Sequence, residues 1–224
     1  MLNSYRAVLF DLDGTLVDHS NAARAGVIAW SQELGIPPDP ARWQALEQQW
    51  FLAYEHGKLT HSGQRAARVR EYLHEPKLSE TAALQLFDGF LHQYIASMQP
   101  FSGAAEVLEQ CFDCGQLVGI ATNGAASLQT TKLRTTGLWD DRLIMLAAVE
   151  MEAAKPNPEF YTRALDIVGT APADTIMVGD TLPNDVLAPI AAGIAAIHVD
   201  HVGTGTADPR YPTIRDLSEL LNAP

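Results

Sequence analysis

Positive charge is scarce in this sequence. Its 224 residues carry 15 lysines and arginines against 27 acidic residues, for a formal net charge of −12. An acidic chain repels the phosphate backbone of DNA and RNA, whose binding needs clustered basic side chains. No such cluster is present, so nucleic-acid polymers are not expected partners. A small anionic ligand is still allowed, because a local cation outweighs the overall field at short range. Long apolar runs are missing too: none approaches the roughly 20 residues of a membrane span, and no membrane partner is expected. Met1–Arg6 holds one basic residue and no apolar signal core, which predicts a cytoplasmic protein. Cysteine is nearly absent. Cys111 and Cys114 are the only two, and although C-x-x-C is a zinc or redox spacing, a second ligand pair is missing. They fall late in an apparent helix before Gly115, so a structural or incidental role is expected. The seven histidines, including His198 and His201 around Asp200, form no metal-ligand spacing either.

Apolar residues, at 47% of the chain, suffice for one large α/β domain or one domain carrying an insertion. The stretch that organises the rest is Ala7–Thr15, Ala-Val-Leu-Phe-Asp-Leu-Asp-Gly-Thr. The pattern predicts a strand over Arg6–Phe10 that ends in Asp11 and Asp13. Side chains at i and i+2 of an extended chain point the same way. Two carboxylates delivered together into a cleft are costly unless a cation joins them. Gly14 allows a turn, and Thr15 adds a hydroxyl.

From about Ser20 the period becomes helical. Ala23, Val27, Trp30 and Leu34 form one stripe, and Trp43, Leu46, Trp50 and Tyr54 a second, after a break at Pro37, Pro38 and Pro40. Ala66, Val69 and Leu73 form a third. Leu84, Phe87, Leu91, Tyr94 and Met98 form a fourth, with Ser79 as N-cap. Four helices with no strand between them predict a small bundle, whose Trp and Tyr residues mostly pack its core. After Pro100, strand and helix alternate: helix 103–114, strand 117–121, helix 125–135, strand 143–148, helix 157–168, strand 175–178, helix 183–192 and strand 195–199. Asn157-Pro158 reads as an N-cap followed by Pro at the first helical position, and Pro189 should kink or disturb its helix. A loop with Gly203, Gly205, Pro209 and Pro212 leads to a final helix near 216–222.

Such alternation implies a parallel sheet covered on both faces, with ligands beyond the carboxyl ends of its strands. Asp11, Asp13, Thr122, Asn123 and Asp180 all sit at such ends. Thr122, with N–H groups around Asn123 and Gly124, makes an anion site at a helix N-terminus. Lys155, held extended by Pro156, can aim its ammonium at the strand ends. Val178-Gly179-Asp180-Thr181, followed by Asn184 and Asp185, repeats the opening logic, and such hard oxygen donors suit Mg²⁺ beside a phosphate. Asp11, Asp13, Asp180 and Asp185 sum to −4 if ionised. Lys155 and one Mg²⁺ return +3, and a phosphate monoester brings −2. Two unit charges ~4 Å apart at an effective dielectric of 20 interact by several kcal/mol. The count therefore predicts that Asp13, best placed to meet a leaving oxygen, is at least partly protonated when substrate binds and serves as general acid.

Taken in order, Asp11-Leu12-Asp13-Gly14-Thr15, Thr122-Asn123, Lys155-Pro156, and Gly179-Asp180 with Asn184-Asp185 resemble the four motifs of the haloacid dehalogenase superfamily. The resemblance covers nearly the whole chain. It implies a Rossmann-like core over 1–19 and 99–224, with a helical cap of the C1 type inserted at 20–98. It implies Asp11 as the nucleophile that forms an aspartyl-phosphate, and Asp13 as the group that protonates the leaving oxygen and then activates water. Thr122, Asn123 and Lys155 would hold the phosphoryl group. Asp11, the Asp13 carbonyl and Asp180 would bind Mg²⁺, with Asp185 in support.

Members that remove halide typically lack the second acid, so Asp13 favours phosphate. Ala121–Gly124, Ser127-Leu128-Gln129 and Thr136-Gly137-Leu138 are similar to bacterial pyrimidine 5′-nucleotidases of this superfamily. Two departures stand out: Glu152, where relatives usually place Gly, and Pro189. The expected protein is thus a Mg²⁺-dependent phosphatase of small phosphate monoesters, with nucleoside 5′-monophosphates as one substrate class. It is expected to act as a monomer or homodimer, with His19, Asn21, Trp50 and Tyr54 of the cap as candidate selectivity residues. A sugar-phosphate or phosphoglycolate phosphatase, a phosphosugar mutase, and a regulatory or binding protein on the same scaffold are the alternatives.

Overall fold

The computed structural model describes residues 1–203 and 208–221. The chain forms two compact units, one of Met1–Asp18 with Gln99–Pro224 and one of His19–Met98.

The first unit is built on a six-stranded parallel sheet in the order β3-β2-β1-β4-β5-β6. The strands are β1 (Ala7–Phe10), β2 (Leu117–Thr122), β3 (Ile144–Ala147), β4 (Thr175–Gly179), β5 (Ala195–Val199) and β6 (Thr213–Ile214). This is the doubly wound order with helices on both faces. Every residue of β1 and β4 is buried. Strands enclosed on both faces read as continuous apolar runs rather than as alternations, which is how Ala-Val-Leu-Phe and Ile-Met-Val appear in the sequence. β1 lies between β2 and β4, with Phe10 level with Ile120 on one side and Val178 on the other. Continued by one residue, that register sets Asp11 level with Ala121 and Gly179, so that Thr122 and Asp180 follow one residue further on at the same end of the sheet, where the strand order reverses.

The connecting helices of this unit are α5 (Ala104–Asp113), α6 (Ala126–Thr135), α7 (Ala148–Met151), α8 (Pro158–Val168) and α9 (Ala188–Ala191). Asn157 caps α8 through the Glu159 N–H, with Pro158 next, as the sequence predicts. The helix expected over 183–192 is instead split. A π-helical turn runs over Leu182–Leu187 and a short α9 follows. Pro189 is the physical reason for the split. In the π turn the Ala188 N–H bonds the Pro183 carbonyl, but residue 189 has no N–H to offer the next carbonyl, that of Asn184. The Tyr161 hydroxyl donates to it instead. β6 and α7 are additional to the expected elements, and the final helix is a 3₁₀ turn over Leu217–Leu220. Gly205 and Asn222 lie outside the described residues.

The second unit consists of α1 (His19–Glu33), α2 (Pro40–Glu55), α3 (His61–Tyr72) and α4 (Glu80–Ala96). Asp39, Thr60 and Ser79 cap the last three of these through N–H groups of the first turn. The core is aromatic: Trp30, Trp43, Tyr72, Phe87, Phe90 and Tyr94 are all buried, with Trp43 and Phe90 ring centroids 4.5 Å apart. One ion pair is set into it. Arg68, 3% exposed, donates to Glu47 at 2.5 Å and to Gln64 at 2.9 Å. Among the described residues no helix is long and apolar enough to cross a membrane.

Candidate active site

The end of β1 is held tightly. Gly14 turns the chain at φ +96°, and a Cβ there would overlap the Asp180 carboxylate. Glycine is therefore required both for the backbone conformation and for the approach. Thr15, fully buried, sets its hydroxyl between two acids, 3.2 Å from Asp11 Oδ2 and 3.3 Å from Asp180 Oδ1.

Lys155 is the centre of charge. It is 2% exposed, and its Nζ donates to Asp11 Oδ1 (2.8 Å), Asp185 Oδ1 (2.6 Å) and the Ala121 carbonyl (2.8 Å). All three ammonium hydrogens are thus used. Its backbone is clamped by Asn123, whose side-chain Oδ1 accepts from the Lys155 N–H and whose Nδ2 donates to the Lys155 carbonyl. The Asn123 amide therefore positions the lysine. The Lys155–Pro156 bond is cis. The second oxygen of Asp185 accepts from the Thr181 N–H at 3.0 Å.

One lysine does not balance these acids. Burial pushes the Asp11 carboxyl up to about 7, against the pull of Lys155 and with the repulsion of Asp185 and Asp13. Burial and the charge of Asp11 raise Asp180 to about 7 as well. Asp185 is raised by burial, with Lys155 opposing. Lys155 itself is held above its ordinary value, because Asp11 and Asp185 outweigh the effect of its burial. Asp11, Asp180 and Asp185 each bring one oxygen within 4.8 Å of the others. Hard oxygen donors that repel one another at this spacing fit a divalent cation such as Mg²⁺.

Thr122 completes the floor, its hydroxyl accepting from the Gly124 N–H (3.1 Å) and from Gln129 Nε2 (2.5 Å). The start of α6 is less open than the sequence suggests. The Ala126 N–H donates to the Glu150 carboxylate at 3.0 Å, so a carboxylate already sits at that helix end.

Asp13 departs most from expectation. Lys132 Nζ lies 2.6 and 2.5 Å from its two oxygens, and Gln129 Nε2 donates to Oδ2 at 3.0 Å. Lys132 adds a second buried ammonium beside these acids. The charge count stays negative with it, but with an ammonium on both oxygens of Asp13 the count alone no longer picks Asp13 as the acid that takes the proton. Lys132 lies 119 residues from its partner. The only local signal for it is its place three residues after Gln129 on the helix following Thr122-Asn123.

The remaining candidates have partners of their own. His198 Nε2 meets the Asp180 carbonyl, and His201 meets the Thr15 carbonyl while stacking on Phe101. Both brace backbone next to the acids. Cys111 and Cys114 are free thiols. In the helical unit, His19 contacts Tyr94 and Glu47, Trp50 donates to Glu71, and Tyr54 packs on Phe51 and His61.

Comparison with known proteins bears on this arrangement. The sequence profile of the haloacid dehalogenase-like hydrolases matches residues 5–193. A ribulose-1,5-bisphosphate 5-phosphatase of Halopiger xanaduensis is 28% identical over 205 residues, covering 87% of this chain and 84% of that protein. The pyrimidine 5′-nucleotidase PynA of Streptococcus pneumoniae is 27% identical, covering 97% and 95%. Among solved structures, the magnesium-bound HAD-hydrolase YfnB of Bacillus subtilis superposes with a TM-score of 0.84 at 22% identity, over 96% of each chain. This last likeness is one of fold.

Proposed function

The chain belongs to the haloacid dehalogenase-like hydrolase family, and we propose that within it the protein is a Mg²⁺-dependent phosphatase of small phosphate monoesters. The observation that carries the reading is the cluster of Asp11, Asp180 and Asp185 at the carboxyl end of the sheet, with buried Lys155 bonded to Asp11 and Asp185.

Asp11 is the nucleophile in this reading. One carboxylate oxygen attacks phosphorus, the bond from phosphorus to the leaving oxygen breaks, and that oxygen takes a proton from Asp13, which enters this step as the neutral acid. The product of this step is an aspartyl-phosphate on Asp11. Water then attacks the phosphorus, Asp13 takes its proton, and the bond to Asp11 breaks to release phosphate. Lys155 orients Asp11 and offsets the negative charge of the phosphoryl group, to which the Thr122 hydroxyl can donate. Asp11, the Asp13 carbonyl and Asp180 would hold Mg²⁺, with Asp185 in support. The ion supplies charge neutralisation and alignment of the phosphoryl group.

Nucleoside 5′-monophosphates are the first substrate class to test, on the similarity to PynA. A sugar-phosphate substrate is the second, on the similarity to the Halopiger enzyme. The test measures phosphate release from nucleotides, sugar phosphates and p-nitrophenyl phosphate, with Mg²⁺ or with EDTA. We expect turnover with Mg²⁺, background with EDTA, and background for Asp11→Asn in either condition. Full activity in EDTA, or in Asp11→Asn, would overturn the reading.

A further inference from the structure

We infer that Lys132 and Gln129 form a brace on α6 that positions Asp13 against the phosphoryl pocket and so sets the efficiency of proton transfer to the leaving oxygen. The inference rests on the reading of Asp13 as the acid and extends it to two residues outside the family's four motifs.

Gln129 and Lys132 are three apart on one helix, so they share a face. Both are nearly sealed from solvent, at 1% and 3% exposed. A buried lysine is rare unless paired, and Lys132 reaches both oxygens of Asp13, at 2.6 and 2.5 Å. A carboxylate gripped at both oxygens has little freedom to rotate about its last torsion. Gln129 adds a link of a different kind. Its single amide nitrogen donates both to Asp13 Oδ2 at 3.0 Å and to Thr122 Oγ1 at 2.5 Å. The two hydrogens of that nitrogen thereby tie the acid to the hydroxyl assigned to the phosphoryl group. Asp13 Oδ2 accepts from this amide, which fixes the amide's orientation. Gln129 Oε1 is buried with no hydrogen-bond partner, an expense that a merely structural glutamine would avoid by facing solvent.

Gly124 supports the same reading from the other side. A Cβ on it would stand 2.7 Å from Gln129 Nε2 and 2.8 Å from its Cδ. A side chain at 124 would push the Gln129 amide out of this position. A misplacement of about 1 Å in a reacting group costs on the order of 10²-fold in rate, so a brace at this point has leverage on turnover without touching substrate. Lys132 and Gln129 are positioning residues, acting through Asp13 and Thr122.

The experiment compares an alkyl phosphate, whose alkoxide needs a proton to leave, with p-nitrophenyl phosphate, whose phenolate does not. kcat and KM are measured for wild type, Asp13→Asn, Lys132→Met, Lys132→Arg and Gln129→Leu, with the thermal midpoint of each checked. We expect Asp13→Asn to lose about 10²–10⁴-fold in kcat on the alkyl ester and much less on the aryl ester. Lys132→Met should show the same selectivity with a loss of about 10²-fold and little change in KM. Lys132→Arg should recover part of it, and Gln129→Leu should follow Lys132→Met. If Asp13→Asn is selective but both Lys132→Met and Gln129→Leu lose equally on the two esters, or lose nothing, the brace is overturned and the reading of Asp13 stands. If Asp13→Asn itself shows no selectivity, the acid is misassigned and the brace falls with it. Should Lys132→Met fail to fold, the selectivity of Gln129→Leu decides.

Discussion

Lys155 joins two acids that lie 144 and 30 residues away in the chain. Its removal therefore does more than delete a phosphate contact. Lys155→Met would leave Asp11 and Asp185 buried without their cation, and breaking a buried ion pair from one side costs about 3–5 kcal/mol. We expect urea unfolding of the metal-free variant to show a loss near the lower end of that range, since the carboxyls can take up protons. Loss of activity with unchanged stability would contradict the central place given to this lysine. The same residue marks what the sequence discloses at this scale. That Asp11 and Asp13 leave one strand on the same side follows from chain periodicity alone. That Lys155 is buried between Asp11 and Asp185 depends on three strand ends meeting, which single-residue chemistry does not reveal. Lys132 was invisible because an isolated lysine on a helix is ordinarily solvated, and its partner lies across the fold.

Secondary elements were legible where they were long or capped. β1, β2, β4 and β5 stand out as short apolar runs, the four helices of the second unit follow the helical periodicity, and the Ser79 and Asn157 caps stand where expected. The elements that escaped, β6 and α7, have two and four residues, too few to show a period. The Pro189 segment was legible as a disturbance, but its resolution into a π turn depends on Tyr161, a residue of another helix. Glu152 is the clearest case of a local rule broken. It ends α7 at φ +53°, a conformation that costs a non-glycine residue roughly 1–2 kcal/mol. Glycine there would relieve that strain and lose part of the gain to its own chain entropy. We expect Glu152→Gly to stabilise the protein by about 1 kcal/mol, read as a higher denaturation midpoint with an unchanged urea slope. A lower midpoint would mean that the Glu152 side chain makes a compensating contact.

At the scale of the whole molecule, the site gives stability a pH dependence that a cation should remove. Asp11 and Asp180 titrate near 7 in the metal-free fold against an ordinary 3.8. Between those values the folded state binds more protons than the unfolded one, so stability falls as pH rises. The contribution is fully present below the ordinary carboxylate value and is lost as pH passes through about 7. Glu47 acts in the opposite sense. Burial would raise it, but the Arg68 and His19 contacts hold it well below its ordinary 4.5, so its contribution is lost only in acid. In EDTA, the thermal midpoint should therefore decline from about pH 5 to about pH 8. With Mg²⁺ present, binding to the folded state alone should raise the midpoint and flatten the decline. Identical slopes in the two conditions would contradict a cation among these acids.

The most direct test of the account is to trap the intermediate. Enzyme mixed with a phosphate monoester and Mg²⁺ is quenched in acid during turnover, digested, and its peptides weighed. The account predicts one added phosphoryl group on the peptide containing residues 7–15, absent in EDTA and absent in Asp11→Asn. Steady turnover with that peptide unmodified, or with the phosphoryl group on any other side chain, would contradict it.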